Sequence, residues 1–558
     1  MLTGSSLAAL IALSALFCYL YHELHYRRIK QFAHYPQMKP SLIWGHLKLI
    51  KAFHRKRGEK GGHIDHVFGD ICESMGNPPV LLLDFRPLNS PVLLVRSHEI
   101  SEQITRQSKM WPYSTPKADT AQYLTPLIGE NSMIILSGPK WKDMRKHFNL
   151  GFAPQHLMTL LPLIMDKTQA FLSKLDSLAS TGEVFDLDPL CTNLTFDIIG
   201  AVTMGVDLDA QLPEEQQGDF IRNYKALLQS YKEPGILKWR GNPLIKRRRR
   251  VLSQAIDSFL AEIVRHKFDD IKEDKGLSSR SILELSLKEA HALTKELIDN
   301  TIDQLKTFMF AGHDTTSIVL QWAIYELSRT PHAIQKLRLE LEELFGPSPN
   351  PAAIRNTLKT HGGEIINDMI FTSAVIKETL RLYPPAGSAR LCPPGSNFHI
   401  QLPDGSNICV DGIVLYNCAT LVQRDANVYG NTKDDFLPER WLDNRDTPIA
   451  KNKDKVDISG AGEGIPASAW RPFGRGPRKC IGQELANIEA KVILACVISK
   501  YDFEKVGLGE AMVDTNGKPI VNEKGQYHSK TQLYNTQQIT ARPVDYMRVR
   551  VRLRHDLS

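Results

Sequence analysis

Residues 2–21 are mostly apolar and carry no charged side chain. Twenty helical residues span about 30 Å, the thickness of a bilayer's hydrocarbon core. The first acidic residue is Glu23, and Arg27, Arg28 and Lys30 follow the apolar stretch instead of preceding it. A cleaved secretory signal carries its basic residues before the apolar run. The order here predicts a single-pass anchor, N-terminus lumenal and the rest cytosolic by the positive-inside rule. Pro36, Pro40 and Gly45 predict a stiff, non-helical exit. Two short apolar runs, 80–85 and 91–96, read as strands joined by a turn. From Gly138 onward the pattern is mostly helical. Over 294–329 the residues Ile298, Ile302, Leu305, Met309, Val319, Ala323 and Leu327 share one helical face. That helix would exceed 50 Å and stop at Thr330-Pro331. Around 398–415, Asp404-Gly405 and Asp411-Gly412 separate short strands. The stretches 443–469 and 507–530 are hydrophilic and read as surface insertions.

Composition narrows this little. The chain has 558 residues, 42% hydrophobic and 23% charged, which is ordinary globular usage. Eight cysteines show no Cys-x-x-Cys spacing, which argues against a disulfide framework or zinc site and for a reducing compartment. The net charge of +7 owes much to Lys246–Arg250, which reads as a nuclear signal, a nucleic-acid contact, a membrane-surface patch or a solvated helix start. No nucleic-acid motif accompanies it, and no glycine-rich dinucleotide loop follows a strand.

One segment carries concentrated chemistry. Phe473-Gly-Arg-Gly-Pro-Arg478-Lys-Cys480-Ile-Gly482 sets a cysteine in a rigid, cationic loop. A helical pattern begins after it, so the sulfur is expected at a helix N-terminus, where thiolate is favoured over thiol. Inside the long helix stands Phe310-Ala311-Gly312-His313-Asp314-Thr315-Thr316. Gly312 leaves a notch where a flat ligand or O2 would lie against the backbone. Thr315 can bond a carbonyl one turn back, and Asp314 with Thr315 makes a minimal proton relay.

The loop resembles the Phe-x-x-Gly-x-Arg-x-Cys-x-Gly signature of the cytochrome P-450 (haem-thiolate monooxygenase) family, and Ala311–Thr316 resembles its oxygen-activating motif. The resemblance runs nearly the whole length. It implies one mainly helical fold with a small β-rich lobe at 46–558, behind an anchor (1–22) and a basic, proline-containing hinge (23–45). It implies haem b, with Cys480 as axial ligand to the iron, a thiolate that favours O–O cleavage. Trp141, Arg145, Arg390, Phe473, Arg478 and Gly312 would bind the haem, and Asp314 and Thr315 would be catalytic. Glu378, Arg381 and Arg440 would form a structural network. Trp441 stands where phenylalanine is common, a change expected to be harmless.

The same resemblance implies O2, a hydrophobic small-molecule substrate and electrons from NADPH through a separate NADPH-cytochrome P-450 reductase. Lys140, Lys142, Lys146 and Lys479 would form the face for that acidic flavoprotein. Substrate contacts are expected from 111–135, 220–231, 308–311, 385–388 and 535–538. The stretch 235–245 would dip into the membrane or pack as a loop. The expected location is the endoplasmic reticulum membrane with the catalytic domain cytosolic. In style the chain resembles fungal members acting on secondary metabolites. A haem-thiolate isomerase or dehydratase that does not use O2 is the alternative. Members of that kind usually lack the acid–threonine pair.

Overall fold

The protein is described by a computed structural model covering residues 4–231, 242–273, 281–442, 464–536 and 538–554. Helix α1 (Gly4–His25) turns Leu13, Phe17 and Leu20 outward. Ala8–Lys30 is long and apolar enough to cross a membrane, and its most apolar window is wholly unburied. After α1 the chain makes one π turn, Tyr26–Lys30. There the expected basic flank changes character. Arg28 is buried, donating to Asp84 at 2.7 Å and to the Ile43 carbonyl at 2.9 Å. Its charge is neutralised inside the β-rich lobe, and Arg27 pairs with Glu23.

The strands form three sheets among the described residues. β1 (Val80–Leu83), β2 (Val92–Val95), β4 (Ser388–Leu391) and β7 (Val414–Asn417) make the lobe, in the order β1-β2-β7-β4. β2 and β7 run parallel, Val92 opposite Val414, while the other two pairings are antiparallel. β5 (His399–Gln401) and β6 (Asn407–Cys409) form the expected hairpin. β3 (Phe185–Asp186), β9 (Arg548–Leu553) and β8 (Tyr501–Lys505) form a third sheet.

The helices that position the site are α2 (Gly138–Asn149), α3 (Leu187–Met204), α4 (Lys295–Arg329), α5 (Ile370–Leu382) and α6 (Gln483–Lys500). Thr294 caps α4 by accepting from the Leu297 N–H at 3.1 Å, and Glu296 complements the dipole. Past Thr301 the helix is buried on almost every side, so its polar residues need partners. Lys306 bonds Asp257 at 2.8 Å, and Thr307 bonds Ser132 at 2.7 Å.

Two expectations about the surface gain detail from the fold. The 507–530 stretch folds back in short β-bridges against the end of α4: Tyr527 N–H donates to the Arg329 carbonyl at 2.8 Å, and Gln526 is buried. It is a cover for the helix end as much as an insertion. In the basic run, Arg249 is buried, its guanidinium 3.6 Å from the Tyr231 ring centroid and bonded to Ser230. The other four cations are exposed. Most of 235–245, and all of 443–463, lies outside the described residues.

Candidate functional site

The cysteine loop closes through a Cys480 N–H donating to the Phe473 carbonyl at 2.8 Å. Gly476 has φ +75°, and a Cβ there would meet the Thr105 carbonyl oxygen at 2.3 Å, so only glycine fits. Arg145, from α2, donates to the Lys479 carbonyl at 2.8 Å and ties that helix to the residue before the cysteine. Gly482 caps α6, and its N–H points at the Cys480 sulfur. The sulfur lies deep in the protein yet is reachable, because it opens into an internal cavity of about 460 Å³. The expected thiolate bias is not seen in the protein alone. Burial pushes the thiol pKa up, against the opposing pull of the Gly482 N–H and Arg145.

The other wall of the cavity is α4, through Ala311, Gly312, Thr315 and Thr316. The Thr315 hydroxyl donates to the Ala311 carbonyl at 2.7 Å, one turn back as expected. Gly312 is revised: a Cβ on it would lie 2.6 Å from Cδ1 of Ile199. Its bareness lets α3 and α4 approach closely, while its backbone still borders the cavity. Asp314 is also placed differently. It does not line the cavity; one carboxylate oxygen bonds Arg542 and the other bonds Thr540. Arg542 also reaches Asp188 at 3.1 Å.

A cluster of cations meets at one edge of the cavity. Arg478 lies over Trp141, 4.7 Å from the ring centroid, and donates to the Met133 and Leu136 carbonyls at 2.8 and 2.5 Å. Arg390 is buried, and its Nε and Nη1 have no partner among the described residues. Arg145 and Lys117 complete the group. Burial, then Arg390 and Arg145, lower Arg478 to about 9; burial, then Arg471, lower Arg390 to about 10. Burial also drives the Lys117 ammonium well below its usual value, with Arg390 and Arg478 adding to the effect. Such a cluster is costly until an anion enters. A flat group with two carboxylates at one edge, a face open to a sulfur and an apolar remainder fits these residues, and haem has that form. Lys117 was not legible in the sequence, where it is one lysine in an unremarkable Pro-Lys-Ala.

Beneath the loop, Glu378 and Arg381 on α5 are fully buried and joined by two bonds, at 2.8 and 2.9 Å. Arg440 bonds the same carboxylate at 2.9 Å, as does the indole N–H of Trp441. Burial alone would raise the Glu378 pKa, but Arg381 and Arg440 hold it below its usual value. Trp470, just before the loop, donates to the Lys377 carbonyl at 3.1 Å and links the network to the cysteine side.

The apolar lining comes from Leu124, Met133, Phe308, Phe310, Pro385 and Ile539. The expected 220–231 stretch, helical over Asp219–Gln229, does not border the cavity; Phe220 and Tyr224 pack instead on Phe196. At the C-terminal turn the contact is made by Ile539 and Thr540, just past the expected 535–538.

Comparison with known proteins agrees with this geometry. The cytochrome P450 family model matches residues 79–528. Cytochrome P450 monooxygenase acrF of Aspergillus aculeatus is 32% identical over 435 residues, covering 76% of this chain and 84% of the relative. Cytochrome P450 monooxygenase polC of Polytolypa hystricis is 26% identical, covering 75% and 72%. Cytochrome P450 monooxygenase FUM15 of Gibberella moniliformis is 26% identical, covering 78% of each. A cysteine opening beneath a cationic-edged, apolar cavity, on a chain this similar over this length, has one reading: the protein belongs to the cytochrome P450 family of haem-dependent monooxygenases.

Proposed function

We propose that the chain inserts one oxygen atom from O2 into a hydrophobic small molecule by hydroxylation, epoxidation or desaturation, in the making of a fungal secondary metabolite. Electrons would come from NADPH through a separate NADPH-cytochrome P450 reductase. The observation that carries the reading is the placing of the Cys480 sulfur across one apolar cavity from Thr315. Haem bound there supplies the redox chemistry that activates dioxygen. Cys480 would hold its iron, Arg145, Arg390 and Arg478, with Lys117, would neutralise its carboxylates, and Trp141 and Phe473 would help to bind it. The apolar lining excludes water and selects a lipophilic substrate. Thr315 presents a hydroxyl at the wall facing the sulfur, and Asp314 holds the proton supply behind it.

The exposed Lys140, Lys142, Lys146 and Lys479 support docking of an acidic reductase on the cysteine side. The unburied apolar helix at the N-terminus supports an endoplasmic reticulum anchor with the rest of the chain cytosolic. The test is the spectrum of dithionite-reduced protein with and without carbon monoxide. A strongly red-shifted Soret band that disappears in Cys480→Ala is expected. A band at the position of histidine-ligated haem would overturn the proximal assignment. NADPH- and reductase-dependent O2 consumption is expected alongside it, and its absence would favour the isomerase alternative.

A further inference from the structure

Asp314 and Thr315 are adjacent in sequence, but their side chains are engaged elsewhere. The Thr315 hydroxyl donates to its own helix, at the Ala311 carbonyl. Asp314 Oδ1 takes Arg542, and Oδ2 takes the hydroxyl of Thr540. Thr540 is only 5% exposed, yet it borders the cavity that Thr315 and Cys480 also border, whereas Asp314 does not. Of the described groups bonded to the Asp314 side chain, Thr540 is the one that reaches the cavity.

The surrounding backbone fixes that hydroxyl. Ala541 N–H donates to the Pro385 carbonyl at 2.9 Å, and Thr536 N–H to the Arg542 carbonyl at 2.7 Å, which folds the segment on itself. Arg542 is shared between Asp314 and Asp188, and Gln321 donates to the other Asp188 oxygen at 2.9 Å. The clamp leaves Oδ2 as the oxygen free to exchange with Thr540.

We propose that Thr540 is the positioning residue through which Asp314 passes protons to the cavity; this rests on the monooxygenase reading above. A proton carried on Asp314 Oδ2 transfers to the Thr540 oxygen, breaking one O–H bond and forming another. The original hydroxyl proton of Thr540 leaves to an acceptor in the cavity. Two protons each shift by one bond, so that one is delivered in net, no electron moves, and the carboxylate is restored against Arg542. The relay thus draws on a segment more than two hundred residues away as well as on α4.

The test compares the haem-loaded full chain, with reductase, as wild type, Thr540→Val and Thr540→Ser. The primary readout is the share of NADPH electrons released as hydrogen peroxide. Valine keeps the shape and removes the hydroxyl, so the flux not lost as peroxide should fall by roughly a hundredfold. Serine should restore it. A valine variant that partitions electrons as wild type does, or a serine variant as impaired as valine, overturns the proposal. An unchanged carbon monoxide spectrum in both variants shows the haem site to be intact. The second readout is infrared: the carboxylate stretch that Asp314→Asn removes should shift in Thr540→Val and not in Thr540→Ser. No shift with valine overturns the proposal. If wild type oxidises no NADPH at all, the monooxygenase reading fails, and the infrared arm alone judges the Asp314–Thr540 link.

Discussion

The indole N–H of Trp441 donates to Oε2 of Glu378 at 2.9 Å, the same oxygen that Arg381 Nε engages at 2.9 Å. Phenylalanine at this position cannot make that bond, so the tryptophan is not a neutral variation. Trp441→Phe should destabilise the protein by about 1.5–3 kcal/mol, the worth of a hydrogen bond to a buried charge. Urea unfolding monitored at the haem band measures it, and a loss under half a kcal/mol would contradict the assignment.

Gly312→Ala should also cost stability, although alanine is the better helix former by about 1 kcal/mol. The new Cβ would stand 2.6 Å from Ile199 Cδ1, and overpacking of this kind costs about 1–3 kcal/mol. In an Ile199→Ala background the same change should be close to neutral. A double-mutant cycle reads the coupling directly, and additive effects would show that the two side chains do not collide.

Arg390 has two buried guanidinium nitrogens without a partner among the described residues, as befits a cation waiting for a haem carboxylate. Arg390→Met should speed haem transfer to an acceptor protein by roughly ten- to hundredfold, the equivalent of about 1.5–3 kcal/mol. Equal transfer rates would place the haem edge elsewhere.

Glu489, on α6, is buried at the cavity wall with the Thr316 hydroxyl as partner, and burial pushes its pKa up to about 8. Its folded value exceeds its unfolded one, so the folded state binds the extra proton. Its contribution to stability is therefore complete below about 4.5 and lost as pH rises through about 8. Glu489→Gln should remove that loss, gaining on wild type by a few kcal/mol, on an order-of-magnitude basis, between pH 5 and 9. Melting temperatures across that range check it; parallel curves for the two proteins would rule it out.

How much was legible in the chain follows from how local each signal is. The cysteine loop, the Ala311–Thr316 run and the Glu378/Arg381 pair are each written within ten residues, with glycines and charges at spacings that few backbones tolerate. The long helix and the hairpin likewise announce themselves by period and turn. Thr540, Arg542 and Lys117 had no such local mark, because each acquires its place only when a distant segment folds onto α4 or the cavity edge. Arg28 was misjudged for the same reason: its basic neighbours suggest a membrane flank, and only the fold supplies Asp84. Gly312 was half read, since the need for a bare position was visible but not the Ile199 side chain that fills it.

The parallel seam between β2 and β7 pairs Val92 with a partner more than 300 residues downstream. A ribosome adding 5–20 residues per second needs roughly 15–60 s to supply that partner. Throughout that interval the β2 edge of the β1-β2 hairpin stays unpaired, the kind of surface that recruits strands from other chains. Newly made protein is therefore most exposed to misassembly midway through translation, after the N-terminal helix has emerged and before the lobe can close. Chains that stop short of Val414 should accumulate as aggregates, and not as smaller folded proteins.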